Sequence, residues 1–325
     1  MELSRRIEII KHYYDLDALL AEKTDQDAIA KYYRLSDFFY NLIHSQGTNC
    51  IHMGLSDDGQ YHKEDYFKQA EFVDAQIGKS TKRILEIGAG KVANSKYLAA
   101  KHPEIQFTAL DLPQRKFLKN KVPKNITLVE GDFNNLSGFS EKFDLVFGVE
   151  TVCHGNNKDR IISEISKVLK PGGKLILFDV YEAKPRNKMT DFEQYVSSVT
   201  LAAMRVTDQD QYIGDMKKYL EKHHFERIEI TDLTSAIMPN LKRLERVSGY
   251  YFRHPHLLKV LKATTSHDVN TNSIAGWLMP LSFDGKNIHQ YDRIIATKKW
   301  ILMLLKAPPR RYFYDSGFGF SPLRK

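Results

Sequence analysis

The feature that most constrains this chain is a change of pattern between residues 83 and 101. An apolar run, Ile84-Leu85-Glu86-Ile87, enters Gly88-Ala89-Gly90, and a helical stretch from Asn94 to Lys101 follows. A buried strand that breaks at glycines into a helix brings bare backbone close to a nucleotide-like ligand, because no side chain stands in the way.

The pattern then repeats. Apolar runs at Phe107–Leu110, Ile126–Val129, Phe143–Val149 and Lys174–Asp179 alternate with helical or polar stretches, and Lys158–Leu169 is the clearest of these helices. Strands of this length and apolarity, alternating with helices, predict a parallel sheet covered on both faces and joined by right-handed crossovers. A sixth strand is expected at Arg227–Ile230. A last strand at Gln290–Thr297 alternates enough to be antiparallel. The expected fold class is therefore α/β, with a Rossmann-like seven-stranded sheet, a helical lead at the N-terminus and helical cap insertions. The divisions expected are a helical lead over residues 1–78, the core over 79–183, a helical insertion over 184–213, core again over 214–232, a cap insertion over 233–287, the last strand over 288–298 and a basic tail over 299–325. Within the cap, a helix is expected from about Asn240 to Lys262. Leu169-Lys170-Pro171-Gly172-Gly173 is expected to stop a helix and turn it into the fifth strand.

Composition narrows the function classes. Two cysteines, Cys50 and Cys153, make neither a disulfide framework nor a zinc cluster, so a reducing cytoplasm and no metal are expected. Met1 to Lys11 lacks the apolar core of a secretion signal. The run Trp300–Leu305 is far short of the roughly 20 apolar residues that cross a bilayer. The net charge is +8, and Lys298 to Lys325 supplies six of it, with seven basic residues against Asp315. The expectation is a solvated end, with peripheral contact to an anionic membrane as the alternative and nucleic acid disfavoured.

Two cofactor readings fit the glycine loop. Gly88-x-Gly90-x-x-Ala93 fits the dinucleotide fingerprint G-x-G-x-x-G/A, and Glu86-x-Gly88-x-Gly90 fits the first motif of S-adenosylmethionine-dependent methyltransferases. Both want Asp111, which lies 21 residues beyond Gly90 at a strand end where a carboxylate accepts ribose hydroxyls. Gly131-Asp132-Phe133, the Pro171-Gly172-Gly173 turn, the helical lead and the final strand together resemble the class I methyltransferases. That resemblance implies that Glu86, Gly88, Ala89 and Gly90 lie against the methionine end of S-adenosylmethionine. It places Asp111 and Leu112 at the ribose, Asp132 and Phe133 at the adenine, and Val149 and Tyr33 beside the cofactor. Where the family often has a third glycine, this chain has Val92. An NAD(P)-dependent oxidoreductase, a non-catalytic binding protein and an RNA or protein methyltransferase remain the rival readings.

A second resemblance concerns the acceptor. Tyr32-Tyr33-Arg34-Leu35-Ser36-Asp37-Phe38-Phe39-Tyr40 is similar to the stretch before the core in cyclopropane fatty-acid synthases and alkaloid N-methyltransferases. Asn49-Cys50-Ile51-His52-Met53-Gly54 resembles a turn of the sterol, tocopherol and prenyl-diphosphate methyltransferases. These likenesses imply a small, apolar or amine-bearing acceptor methylated on carbon or nitrogen, less readily on oxygen. Glu150, at the carboxyl end of the fourth strand, is the expected base, with His154 as its partner or alternative. Tyr40, His52, Tyr195, Tyr251 and Trp277 are the candidate acceptor-pocket residues, and a homo-oligomer is an expected assembly.

Overall fold

In the computed structural model of this chain the described residues are 2–22, 24–112, 122–207, 211–285 and 288–300. The basic tail beyond Trp300 and the Lys- and Arg-rich connection after Leu112 lie outside them.

A helical lead opens the chain: α1 (Leu3–Tyr13), α2 (Leu16–Ala21), α3 (Gln26–Phe39) and α4 (Lys68–Ala75). Asp25 caps α3 by accepting the Ala28 N–H at 2.8 Å, as its position one residue ahead of the helix suggests. The alternating region follows as β1 (Arg83–Ile87), α5 (Ala93–Lys101), β2 (Gln106–Asp111), β3 (Ile126–Glu130), β4 (Phe143–Val149), α6 (Lys158–Val168) and β5 (Leu169–Glu182). Then come α7 (Asp191–Ala203), α8 (Ile213–Lys222), β6 (Phe225–Asp232), α9 (Thr234–Arg253), α10 (Pro255–Thr264), α11 (His267–Phe283) and β7 (His289–Lys298).

The seven strands form one sheet in the order β3-β2-β1-β4-β5-β7-β6. Pairs among β1 to β5 are parallel, and β7 runs antiparallel to both β5 and β6. Wedging an antiparallel β7 between β5 and β6 departs from the 3-2-1-4-5-6 order of a dinucleotide-binding sheet. Because strand side chains alternate, the sheet has two apolar faces. Ile84, Phe107, Phe147 and Phe178 point to one, which the lead and the two insertions cover through Ile7, Val73, Val199, Leu241 and Leu278. Leu85, Ile87, Val146 and Leu177 point to the other, covered by Ile161 and Ile165 of α6 and Met216 and Leu220 of α8.

Three elements differ from the sequence expectation. Pro171-Gly172-Gly173 does not precede the fifth strand but lies inside its beginning. Leu169 already pairs with Phe143, the register shifts before Lys174 meets Leu145, and Gly172 absorbs the irregularity at φ +77°. The sixth strand is longer than its alternation suggests, because a bulge with Arg227 at φ +51° interrupts the pattern. The cap insertion holds three helices, and α11 is the one the sequence hides. It is buried on nearly every side, so it carries no amphipathic stripe to read.

Phe178 joins packing to the site. Its ring meets Phe72 of α4 edge-on at 5.8 Å, and its carbonyl accepts the Glu150 N–H at 2.7 Å. Phe178→Ala should cost about 3–5 kcal/mol in urea unfolding. A loss below about 1 kcal/mol would contradict the packing described.

Candidate active site

At the carboxyl edge of the sheet two spaces adjoin. A crevice is walled by Gly88, Asp111, Leu112, Phe133, Val149 and Thr151, with Gln26, Ile29 and Ala30 of α3 across from them. Beside it lies a cavity of about 170 Å³, closed by the lead and by both insertions. Its walls are mostly apolar, among them Ile43, Met53, Val180, Met204, Leu244 and Met279. Tyr33, Ile51, Glu150 and His154 line both spaces.

Glu150 is held at this junction from three directions. It follows β4 at φ +48°, a left-handed conformation that a glutamate adopts only where surroundings enforce it. Its backbone is bonded to Phe178 of β5. Its carboxylate accepts the Met53 N–H at 2.6 Å, from the loop between α3 and α4. The Tyr291 hydroxyl of β7 directs a donor at the same carboxyl. Gln69 of α4 completes the frame by donating to the Met53 carbonyl at 2.6 Å and to the Tyr291 hydroxyl at 3.4 Å. Burial, with the charge of Asp179 adding to it, pushes Glu150 up to about 8 against the pull of these donors. Asp179 fixes the turn itself, accepting the N–H groups of Thr151 at 3.2 Å and Cys153 at 3.0 Å.

His154 closes the turn. Its Nδ1 lies 3.0 Å from the Arg205 carbonyl, which can only accept, so Nδ1 carries the proton and Nε2 accepts from the Tyr33 hydroxyl at 2.8 Å. Arg205 in turn bonds Asp268 at the start of α11 at 2.9 Å and pairs with Glu22 of the lead. The histidine's tautomer is thereby tied to the packing of the lead and both insertions.

The glycine loop packs closely against the turn after β4. Gly88 sits at φ +61°, and a Cβ there would meet the Thr151 side chain at 2.4 Å. Gly90 donates its N–H to the Asp111 carboxylate, whose other oxygen accepts the Leu112 N–H at 2.7 Å. Val92 adopts φ +63°, the left-handed value that a glycine would take without strain, so the loop keeps its path despite the substitution.

The remaining expected residues divide. Tyr40 and Tyr251 line the cavity, and Phe133 lines the crevice. Glu86 does not reach the crevice. It shares a face with Ile84, is buried under α5, and accepts from Ser95 and from Asn94 at 3.2 Å; burial pushes it up to about 7. It fastens the first turn of α5 beneath the loop. Asp132 folds onto Asn134 at 2.8 Å and Ala89 bonds back to Leu110, and neither lines the crevice. His52 is buried against the Met53 carbonyl. Tyr195 lies under Lys11, and Trp277 stacks on Phe252 at 4.3 Å, so neither reaches the cavity. An aromatic residue in an insertion serves the core as readily as a pocket, and its sequence context does not tell the two apart. Sequence reading missed Thr151, Met53, Tyr291 and Arg205. Asp179, where the expected fifth strand ended, lies inside β5. Among the described residues no cluster of metal-ligating side chains exists and no helix is long and apolar enough to cross a membrane.

Residues 85–177 match the methyltransferase domain family. This segment is a methyltransferase domain of the class I fold. The Neurospora crassa sterol 24-C-methyltransferase erg-4 is 28% identical over 188 residues, 54% of this chain and 48% of that protein. The phthiotriol/phenolphthiotriol dimycocerosates methyltransferase of Mycobacterium leprae is 33% identical over 123 residues, 36% of this chain and 44% of that protein. The chain thus spans about half the length of these curated relatives. Among solved structures, the cyclopropane synthase MmaA2 from Mycobacterium tuberculosis superposes with a TM-score of 0.67 at 13% identity, covering 84% of this chain and 98% of that one. The [4+2]-cyclase SpnF gives a TM-score of 0.63 at 17% identity, covering 84% and 96%. The methyltransferase domain therefore has the fold of these proteins, and its chemistry has to be argued from its own site.

Burial gives a test of the Glu150 frame. The folded chain holds a proton on Glu150 up to about pH 8, whereas a solvated glutamate releases it near 4.5. Stability is therefore fullest below pH 4.5 with respect to this group and falls as pH rises through 8. Glu150→Gln should flatten that decline in urea midpoints measured from pH 5 to 9, leaving the parts that Glu86 and Asp292 contribute in the same sense and that His44 and His289 contribute in the opposite one. Parallel curves for the two proteins would contradict a buried, proton-holding Glu150.

Proposed function

We propose that this chain is an S-adenosylmethionine-dependent methyltransferase acting on a carbon or nitrogen atom of a small, apolar or amine-bearing molecule. The observation that carries the reading is the shared wall: Glu150, Tyr33 and His154 face both the crevice beside the glycine loop and the apolar cavity. Gly88, Asp111, Leu112, Phe133 and Val149 would hold the cofactor, since all five wall the crevice. When bound, S-adenosylmethionine supplies an activated methyl group, for which alignment of the acceptor matters more than acid–base help.

The chain's own contribution starts with alignment. The cavity seats the acceptor against Glu150 and excludes water from it. A carbon or protonated-amine acceptor that gains a methyl group must also lose a proton, and Glu150 is placed to take it. A carboxyl that holds its proton up to about pH 8 in a dry site ionises more readily beside a positive charge, so a cationic ligand in the crevice prepares the base. The Tyr33–His154 pair fixes the aromatic wall on the other side, 5.5 Å between ring centroids. The buried free cysteines suit a reducing compartment, and a peripheral membrane contact through the basic tail and self-association belong to the same proposal.

S-adenosylhomocysteine should raise the melting temperature of the protein and NAD should not; the reverse would favour the oxidoreductase reading and overturn this one. With labelled S-adenosylmethionine and a fractionated apolar extract, Glu150→Gln should keep cofactor binding and lower turnover by about 10²-fold or more. The rate should rise with pH along a limb set by Glu150. Tyr291→Phe, which removes a donor to the carboxylate, should move that limb to higher pH, and Glu150→Gln should abolish it. An unmoved limb in both variants would remove Glu150 from the proton path.

A further inference from the structure

The cavity has a second polar side chain, that of His44, which the proposed chemistry does not use. After α3 the chain makes one π-helical turn, Tyr40–His44, closed by the Ser45 N–H donating to the Tyr40 carbonyl at 2.8 Å. Such turns are uncommon and gather at functional sites, because widening the helix redirects a side chain. Here Tyr40, Ile43 and His44 all face the cavity, while Leu42 faces solvent. The turn is built rather than incidental. Arg243 of α9 donates to the Ile43 and His44 carbonyls at 2.7 Å each, and the Tyr66 hydroxyl also donates to His44 O. Asn240 holds Tyr66 in place at 2.9 Å.

His44 itself is 8% exposed, and its Nδ1 is buried with no hydrogen-bond partner among the described residues. A buried polar atom without a partner costs stability. The scaffold nevertheless places the ring in the wall of the cavity. A row of rings leads to it from the base: His154 to Tyr33 at 5.5 Å, Tyr33 to Tyr40 at 6.0 Å and Tyr40 to His44 at 5.3 Å. Burial, reinforced by the charge of Arg243, pushes His44 down to about 3, so the imidazole is neutral at physiological pH. Among the described lining residues there is no lysine or arginine, and Glu150 is the one carboxyl. An anionic head group would find no counter-charge, and an ammonium would find none at the His44 end.

We propose that His44 anchors a single uncharged oxygen, a hydroxyl or carbonyl, on an otherwise apolar acceptor, at the end remote from the atom that faces Glu150. This deepens the methyltransferase reading by naming the acceptor class, and it rests on the cavity being the acceptor site. A neutral imidazole offers one donor and one acceptor, which matches a hydroxyl in either sense and a carbonyl in one. The apolar walls then select length and shape, while His44 fixes which end enters first.

Binding in the absence of S-adenosylmethionine tests the proposal, with 1-decanol, 1-decene, decanoate and decylammonium titrated calorimetrically into the full chain. Wild type should bind 1-decanol about tenfold more tightly than 1-decene, the worth of one buried neutral hydrogen bond, and more tightly than decanoate. His44→Phe should bring 1-decanol to the level of 1-decene, and His44→Gln should keep most of the preference; 1-decene should bind all three alike. Retention of the preference in His44→Phe would overturn the anchor. So would wild type binding decanoate as tightly as 1-decanol, or binding none of the four, and these outcomes need no variant to fold. Because no methyl transfer is read, loss of the cofactor reading would show separately as a failure to bind S-adenosylhomocysteine.

Discussion

The structure depends on holding one carboxyl, that of Glu150, half-buried at the meeting point of two spaces. Holding it there takes contributions from across the chain: the Met53 amide from the loop between α3 and α4, Phe178 and Asp179 from β5, and Tyr291 from β7. Each supports a residue whose backbone is left-handed at φ +48°. A glutamate in that conformation and that burial would relax to solvent if its neighbours allowed it, so the frame reads as the device that stores reactivity. The antiparallel β7 matters for the same reason, since it carries Tyr291 into the middle of the sheet beside β5.

The lead and the insertions are not appendages to the sheet. They share one apolar core with it, and they wall the cavity against which Glu150 stands. Arg205 shows how tightly they are joined. Its side chain binds the lead and α11, and its carbonyl sets which nitrogen of His154 carries the proton. A change in how the cap sits would therefore be felt at the wall of the active site through one residue.

Much of this was legible in the sequence, for identifiable reasons. The strands between Ile84 and Asp179 could be read because parallel strands buried on both faces are continuous apolar runs. Asp111 and Glu150 could be picked because ligands gather at the carboxyl ends of such strands. The failures are equally specific. Glu86 carries the family motif, yet its place in the alternation puts it under α5, where it fastens a helix. Trp277 and Tyr195 have the composition of pocket residues and the position of core residues. Helix α11 shows no stripe because it has no exposed face. Met53 and Tyr291 reach Glu150 from sequence positions far away on either side, and no local pattern announces such a meeting. Val92 was the visible departure, and the structure shows the loop accepting it by straining one residue.

The central claim is that Glu150 holds a proton at neutral pH and gives it up when a positive charge occupies the crevice. Infrared difference spectra between wild type and Glu150→Gln report the protonated carboxyl directly. A protonated-carboxyl band is expected at pH 7 in the wild type alone, lost on adding S-adenosylmethionine and kept with S-adenosylhomocysteine, which lacks the sulfonium charge. A carboxylate band at pH 7 without ligand, or no difference between the two ligands, would contradict the account.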